Sequence, residues 1–300
     1  MTEKWTTKDL PDLTGRTFVV TGATAGLGVP TVRELARAGG RVVMAVRDEE
    51  KARAVRREIG GTRGELEIRH LDVSSLASVR AFADAWTEPI DVLVNNAGIM
   101  QVPLAYTADG FETTMATNYY GPVALTAALL PQVTDRVVTL SSQLHRRGRI
   151  HLDDLDARHR RYDDLGAYCD SKLAVLLFTL ELQRRLAAAG SPVRALVAHP
   201  GIARTTLASH AGGLTGRINH LGPLLNDVEH GALPTLFAAT ADVAGGSYVG
   251  PDGIASIKGH PTVRQPSRAA RDAELARALW AETGRALGAD AVRGLDERRA

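Results

Sequence analysis

A tyrosine and a lysine four residues apart, Tyr168 and Lys172, are the side chains of this sequence best suited to proton transfer. They begin an apolar run with helical spacing, and residues four apart leave the same face of a helix. A lysine ammonium beside a phenol favours the phenolate, so the pair could serve as a general acid–base. The alternative is a surface i,i+4 pair that contributes roughly 0.2–0.5 kcal/mol to helix stability.

A glycine-rich segment, Thr21-Gly-Ala-Thr-Ala-Gly-Leu-Gly28, joins a β-branched run to a helix-like one. Its glycines let the backbone turn tightly and approach a pyrophosphate, which the positive end of the following helix attracts. A glycine-rich turn without a ligand is the alternative. The residues predicted to contact a dinucleotide here are Gly22, Thr24, Ala25, Gly26, Leu27 and Gly28.

The end of the second strand-like run favours one form of the cofactor. Enzymes that use NAD commonly place an acidic side chain there, about 20 residues after the glycines. This chain has Val46 and then Arg47, and a guanidinium can pair with a 2′-phosphate and stack on adenine. We therefore expect NADP(H) in preference to NAD(H). The nearby Asp48 weighs against this, and Arg47 could instead pair with Asp48 or Glu49 on the surface.

Short β-branched runs alternate with longer stretches of helical spacing along the chain. Strands are predicted near 17–20, 41–46, 66–71, 91–94, 136–140 and 193–198, and helices near 27–38, 49–58, 75–86, 112–130, 168–189 and 228–241. Near-continuous apolar strands indicate a parallel sheet buried on both faces. The fold class is therefore α/β: a Rossmann-like, doubly wound parallel sheet with helices on both faces, in a single domain.

We expect residues 1–14 to form an N-terminal extension and residues 15–300 to form that domain. Two long irregular stretches, near 143–165 and 203–226, are candidates to bind or cover something, the second as an apolar substrate loop. A C-terminal extension near 251–300 contains a helix-like run from Asp272 to Leu287, expected to pack on the outer edge of the sheet. His and Asp residues in the 143–165 stretch lack the spacing of metal ligands, so no metal site is expected.

Composition limits the remaining function classes. The 36 basic and 34 acidic residues leave a charge of +2, which is too near neutral to indicate a nucleic-acid or membrane partner. Cys169 is the only cysteine, so an intramolecular disulfide is excluded and a packed thiol is favoured over a reactive one. The polar N-terminus has no signal-like apolar region, and no run of 18 apolar residues occurs. We expect a cytoplasmic protein.

With these motifs in place, the sequence resembles the short-chain dehydrogenase/reductase family over essentially its whole length. The resemblance is carried by the glycine segment and by Leu71-Asp-Val73, Asn95-Asn-Ala-Gly98, Asn118, Ser142, Tyr168-x-x-x-Lys172, Pro200-Gly201 and Thr205, in the order typical of that family. The opening Trp5 to Gly15, the Ser142-Gln-Leu-His145 segment, Gly250-Pro-Asp-Gly and Ala278-Leu-Trp280 look like its retinol-dehydrogenase-like branch.

The resemblance implies catalytic roles for four residues. Tyr168 would be the general acid–base, and Lys172 would lower the pKa of its phenol and hold the nicotinamide ribose. Ser142 would hydrogen-bond the substrate oxygen, and we favour it over the neighbouring Ser141. Asn118 would tie a water to Lys172 in a proton relay, unless it is simply a polar residue on a helix surface.

The resemblance also implies cofactor contacts beyond the glycine segment and Arg47. Asp72 would accept a hydrogen bond from the adenine amino group, and Asn95 would line the ribose side unless it and Asn96 only tie strands together. The implied contacts are Asp72, Val73, Asn95, Ala97, Gly98, Tyr168, Lys172, Pro200, Gly201, Ile202 and Thr205. Together with Arg47, they complete the predicted cofactor contacts outside the glycine segment.

The sequence thus predicts an NADP(H)-dependent oxidoreductase that interconverts a carbonyl, either a ketone or an aldehyde, and an alcohol. Reduction of a C=C bond in an enone is a second possibility for the same residues, and a non-catalytic NADP(H)-sensing scaffold is a third. Leucines near 203–226 favour a lipophilic small-molecule substrate. A homo-oligomer through the helices near 112–130 and 168–189 is also compatible with the resemblance.

Overall fold

The computed structural model describes residues 4–201 and 227–288. Within them, eight strands form one sheet in the order β3-β2-β1-β4-β5-β6-β7-β8. All neighbours are parallel except β7 and β8, which are antiparallel. The strands are β1 (Thr17–Thr21), β2 (Arg41–Val46), β3 (Glu65–His70), β4 (Ile90–Asn95), β5 (Val133–Leu140), β6 (Arg194–Ala198), β7 (Tyr248–Pro251) and β8 (Pro261–Arg264).

Helices cover both faces of this sheet, as a doubly wound fold requires. On one face pack α1 (Gly28–Arg37), α2 (Glu49–Ile59) and α7 (Val228–Thr240). On the other pack α3 (Leu76–Asp84), α4 (Thr113–Met115), a π-helical turn (Ala116–Tyr120), α5 (Gly121–Leu129), α6 (Asp164–Ala188) and α8 (Ala273–Leu287). Short 3₁₀ helices occur at Thr7–Asp9, Leu130–Gln132, Gln143–Arg147, Ile254–Ser256 and Ala269–Arg271.

The predicted fold class is confirmed, and each of the six predicted strands and six predicted helices is present. Strands β1, β2 and β4 to β6 are buried almost throughout, because valines and leucines point to both helical layers. Edge strand β3 is more exposed and carries charged side chains, as edge strands commonly do. The strand order reverses between β1 and β4, and ligands of such sheets bind beyond the carboxyl ends of strands at that point.

The C-terminal helix α8 lies elsewhere than expected. Its apolar residues pack on α6 and not on the outer edge of the sheet, which β8 occupies. The Trp280 ring stacks on Phe178 of α6 with centroids 5.3 Å apart, and the hydroxyls of Tyr119 and Thr283 are 2.6 Å apart. Part of the helical face that the resemblance assigned to a dimer is therefore covered by the chain itself.

Some of the segments discussed above lie outside the described residues. The proposed substrate loop near 203–226 and the residues after 288 lie outside the described ranges. The division into an extension and one domain stays a prediction. Of the helices in the described ranges, none combines the length and apolar character needed to cross a bilayer.

Candidate active site

Helix α6 brings Tyr168 and Lys172 to one buried face. Their residues are 8% and 5% exposed, so the pair is not on a helix surface. The Lys172 ammonium lies 5.7 Å from the centroid of the Tyr168 ring and donates a hydrogen bond of 3.0 Å to the carbonyl of Leu140, at the end of β5. Helix α6 is apolar nearly all round because it is enclosed by the sheet and by α8.

The two serines that follow β5 have different partners. Ser141 is buried, and its hydroxyl donates to the carbonyl of Lys172 at 2.8 Å, which ties the strand to α6. Ser142 is only half-buried, and its hydroxyl accepts from the backbone amide of Leu144 at 3.2 Å. The same hydroxyl is near enough to Tyr168 to lower the pKa of its phenol. The geometry therefore gives Ser141 a structural contact and places Ser142 beside the candidate proton donor.

Burial shifts both titratable groups of the pair toward their neutral forms. Burial raises the pKa of Tyr168 to about 12, although its hydrogen bond with Ser142 acts in the opposite direction. Burial also lowers the pKa of Lys172 to about 8. Near pH 7 Tyr168 is therefore a phenol with a proton to give, and Lys172 remains mostly charged beside it. Additional positive charge is needed before Tyr168 can act as a base.

Asn118 lies in the π-helical turn and is buried, so it is not a surface residue. Its Oδ1 accepts from the amide of Ile99 at 2.8 Å, and its Nδ2 donates to the Ile99 carbonyl at 2.9 Å and to the Ser171 hydroxyl at 3.0 Å. A Cβ added to Gly98 would lie 3.2 Å from Oδ1 and 3.3 Å from the Lys172 ammonium. Asn118 thus orders the loop after β4 beside Lys172, and its water relay stays a prediction.

The glycine segment has the close backbone packing that a pyrophosphate cradle requires. Gly22 has φ of +67°, and a Cβ there would lie 2.8 Å from the Ala97 Cα. A Cβ on Gly28 would overlap the carbonyl oxygen of Gly22. Helix α1 begins at Gly28, with Pro30 in its first turn, where a missing N–H costs nothing. These residues fit the phosphates of a dinucleotide at a helix N-terminus.

Two side chains that the sequence did not single out as site residues hold this segment in place. The Thr21 hydroxyl accepts from the amides of Asn96 and Ala97 at 3.0 and 2.9 Å. In return, the side-chain Nδ2 of Asn96 donates to the backbone carbonyls of Thr21 and Gly22 at 2.8 and 3.1 Å. Thr24, Ala25 and Gly26 remain half-buried at the loop crest, whereas the Leu27 side chain is in the core.

Arg47 is free of the partners that would argue against a role in binding. Asp48 caps α2 by accepting from the Lys51 amide at 2.9 Å, and Glu49 pairs with Arg53 at 2.8 Å. The Arg47 side chain is 76% exposed, and within residues 4–201 and 227–288 its one ion pair is a 4.0 Å contact with Asp72. The alternative of a pair with Asp48 or Glu49 is therefore not what the structure shows.

Asp72 and Val73 lie directly after β3, beyond the carboxyl edge of the sheet. Asp72 accepts from the amide and hydroxyl of Ser74 at 2.9 and 2.6 Å, and its side chain stays partly exposed. Val73 is buried, and its carbonyl lies where a Cβ on Gly121 would be. Asp72 is thus oriented by its own turn at the edge where an adenine would lie.

The remaining predicted contacts divide between the site and the core. Asn95 is buried, and its amide donates to the Thr126 hydroxyl on α5 at 2.9 Å, which fits the alternative that it ties elements together. Gly201 has φ of +74°, and a Cβ there would overlap the carbonyl of Ile257. The half-buried residues that follow β4 and β6 are Ala97, Gly98 and Pro200. Ile202 and Thr205 lie outside the described residues.

Two other side-chain expectations can be compared with the structure. Cys169 is buried, and burial raises the pKa of its thiol to about 11, so it is a packed and unreactive group. Across residues 4–201 and 227–288, no three His, Cys, Asp or Glu side chains are grouped as ligands of a metal ion.

Comparisons with known proteins agree with this geometry. Residues 16–212 match the sequence profile described as short chain dehydrogenase. Human retinol dehydrogenase 13 is 41% identical over 296 residues, covering 92% of this chain and 86% of that protein. Mouse polyprenol dehydrogenase is 41% identical over 300 residues, covering 93% and 86%.

A solved structure gives the same result for the fold. The crystal structure of an uncharacterized protein from Mycobacterium paratuberculosis has a TM-score of 0.83 and 50% identity, covering 94% of this chain and 97% of that one. The likeness in sequence to retinol dehydrogenases at about 40% identity confirms the predicted branch. The chain belongs to the short-chain dehydrogenase/reductase family.

Proposed function

We propose that this oxidoreductase uses NADP(H) to interconvert a carbonyl, either a ketone or an aldehyde, and an alcohol. The observation that carries the proposal is the buried pair of Tyr168 and Lys172 with the half-buried Ser142 beside it, whose hydroxyl is near enough to the phenol to lower its pKa. Two neighbouring hydroxyls of this kind can both donate to one substrate oxygen. Such an arrangement suits a reaction in which negative charge develops on that oxygen.

The residues would divide the work as follows. NADPH, when bound, supplies the hydride. Ser142 donates a hydrogen bond to the carbonyl oxygen, and Tyr168 gives its proton to that oxygen. The Lys172 ammonium stabilises the phenolate that remains, and its bond to Leu140 fixes where that charge lies. In the reverse direction the phenolate accepts the alcohol proton.

Arg47 supports NADPH as the reductant. Its guanidinium lies beyond the end of β2 and is largely exposed. Among the described residues, only the 4.0 Å contact with Asp72 competes with a phosphate for it. A 2′-phosphate offers the oxygen acceptors that a guanidinium binds well. The last residue of β2 is the buried Val46, so the end of this strand offers no acidic side chain to bind the ribose hydroxyls of NAD.

The relatives support a proposal for the substrate class. Two of them are named for retinol and polyprenol, which are lipophilic primary alcohols. We infer that this chain also acts on a lipophilic alcohol or the corresponding aldehyde.

We propose the cytoplasm as the compartment, because the single cysteine is buried and free, as is usual for proteins of a reducing environment.

Replacing Tyr168 by Phe tests the proposal. The variant loses only the hydroxyl, so Kd for NADPH should stay within about threefold of wild type while kcat for aldehyde reduction falls by about 10²–10⁴-fold. Tyr106→Phe, which removes the hydroxyl of an exposed tyrosine, is the matched control and should keep wild-type turnover. Undiminished turnover in Tyr168→Phe would rule out the proposed proton donor.

A further inference from the structure

Three aromatic rings form a buried cluster directly behind Ser142. His145 comes from the 3₁₀ turn after β5, Tyr248 from β7, and His199 from the end of β6, and all three are buried. The His145 and Tyr248 rings meet edge-to-face with centroids 5.4 Å apart, and the His199 and Tyr248 rings stack at 4.8 Å. The roles proposed above for the reaction use none of these rings.

The hydrogen bonds of His145 fix which of its nitrogens carries the proton. Nε2 lies 3.1 Å from the backbone N–H of Ser267, and because an amide N–H can only donate, Nε2 must be the unprotonated nitrogen. The proton is therefore on Nδ1, which lies 2.6 Å from the carbonyl oxygen of Ser142. Burial lowers the pKa of His145 more than the hydrogen bond to the Ser142 carbonyl raises it, and the nearby Arg146 lowers it further, so the ring is neutral near pH 7.

Neighbouring contacts extend this link toward the C-terminal segment. The Gln143 amide donates to the carbonyl of Ala255 at 2.7 Å, and Arg146 donates to the carbonyl of Gln265 at 2.9 Å. The turn after Ser142 is thus held at three points, and His145 is the only one of the three side chains that is buried and touches Ser142 itself.

At its other end the cluster reaches the turn after β6. Nδ1 of His199 accepts from the amide of Gly201 at 3.2 Å, and its ring rests on Tyr248. The cluster therefore spans the backbone of Ser142 and the Pro200-Gly201 turn. Because close-packed interiors have low compressibility, this packed set of rings resists displacement of either end.

We propose that His145 is a positioning residue that sets the place of the Ser142 hydroxyl by donating from Nδ1 to the Ser142 carbonyl while Nε2 anchors the ring to Ser267. This rests on the function proposed above, in which Ser142 binds the substrate oxygen. A displacement of about 1 Å at such a group can cost on the order of 10²-fold in rate. Displacing the Ser142 hydroxyl should lower kcat and leave KM nearly unchanged, because its hydrogen bond strengthens as negative charge develops on the substrate oxygen.

Two substitutions separate the two hydrogen bonds. His145→Asn keeps a donor near the place of Nδ1 but cannot reach Ser267, whereas His145→Gln keeps an acceptor near the place of Nε2 but loses the donor to Ser142. Both remove the ring, so both are matched for lost packing. We expect His145→Gln to lower kcat about tenfold to a hundredfold with KM nearly unchanged, and His145→Asn to restore kcat to within about threefold of wild type. Equal losses in the two variants, or a larger loss in Asn, would overturn the proposal.

A measurement without turnover separates this inference from the proposed reaction. In wild-type protein labelled with ¹⁵N-histidine, NMR at pH 7 should show His145 as the neutral tautomer protonated at Nδ1. The opposite tautomer or a charged ring would overturn the positioning role whatever the enzyme catalyses. If His145 has the expected tautomer and Tyr168→Phe retains full turnover, the proposed reaction fails while the anchoring of Ser142 stands.

Discussion

Replacing Lys172 by Met should stabilise the protein while removing its activity. The pKa of this ammonium falls from 10.5 to about 8 on folding because it is buried. At pH 7 Lys172 is protonated in both the folded and the unfolded protein. The difference between its two pKa values therefore means that the buried charge destabilises the folded state by about 3 kcal/mol. Methionine removes that cost but also the hydrogen bond to Leu140, which is worth about 1 kcal/mol. The free energy of unfolding should therefore rise by about 2 kcal/mol at pH 7.

The sign of the pH dependence follows from the same shift. Between about pH 8 and 10.5 the unfolded chain holds the proton that the folded protein has released, so raising the pH stabilises the folded wild type. By pH 9.5 about 2 kcal/mol of the cost has disappeared, and the advantage of the methionine variant should shrink to near zero.

Urea unfolding of Lys172→Met and wild type at pH 7 and pH 9.5 measures both effects, because subtracting the two proteins cancels the titration of all other groups. Lys51→Met, at an exposed lysine of α2, is the matched control and should differ from wild type by less than about 0.5 kcal/mol at either pH. A variant less stable than wild type at pH 7, or a difference that does not change with pH, would refute the reasoning.

Two further predictions concern the cofactor. Arg47→Ala should weaken NADPH binding by about 1–2 kcal/mol, or about 5–30-fold in Kd by calorimetric titration, and leave NADH binding unchanged; Arg53→Ala is the control, and equal effects on both cofactors would contradict the assignment. Gly28→Ala should weaken both cofactors at least about tenfold, because its Cβ overlaps the Gly22 carbonyl. Gly61→Ala, where a Cβ meets nothing within 4 Å, should bind normally, and wild-type binding by Gly28→Ala would count against the pyrophosphate cradle.

The parallel part of the sheet could be predicted because its strands are near-continuous valine and leucine runs, for which burial on both faces is the main determinant. Strands β7 and β8 were missed because each has four residues, and Gly250, Pro251 and Pro261 within them are typical of turns. The helical period of α8 could be recognised in the sequence, but periodicity does not show which element the helix packs against. Its apolar face packs on α6 and not on the edge of the sheet.

The candidate site shows the same division between local and distant contacts. Tyr168 and Lys172 share one helix, so their spacing predicted a common face. Thr21 with Asn96, and His145 with Ser267, meet across 75 and 122 residues, and no local pattern predicts such pairs. Asn95 was assigned to the cofactor by resemblance; its Nδ2 donates to Thr126, whereas its buried Oδ1 has no hydrogen-bond partner among the described residues, so the cofactor contact stays a prediction.

The most direct test of the account follows the hydride. NADPH deuterated at the transferred position of its nicotinamide is incubated with the enzyme and a lipophilic α,β-unsaturated aldehyde, and the product is examined by mass spectrometry and NMR. The account predicts one deuterium on the carbinol carbon of an allylic alcohol, formed by wild type and nearly absent with Tyr168→Phe. Deuterium on the β-carbon of a saturated aldehyde, or no transfer at all with bound NADPH, would contradict it.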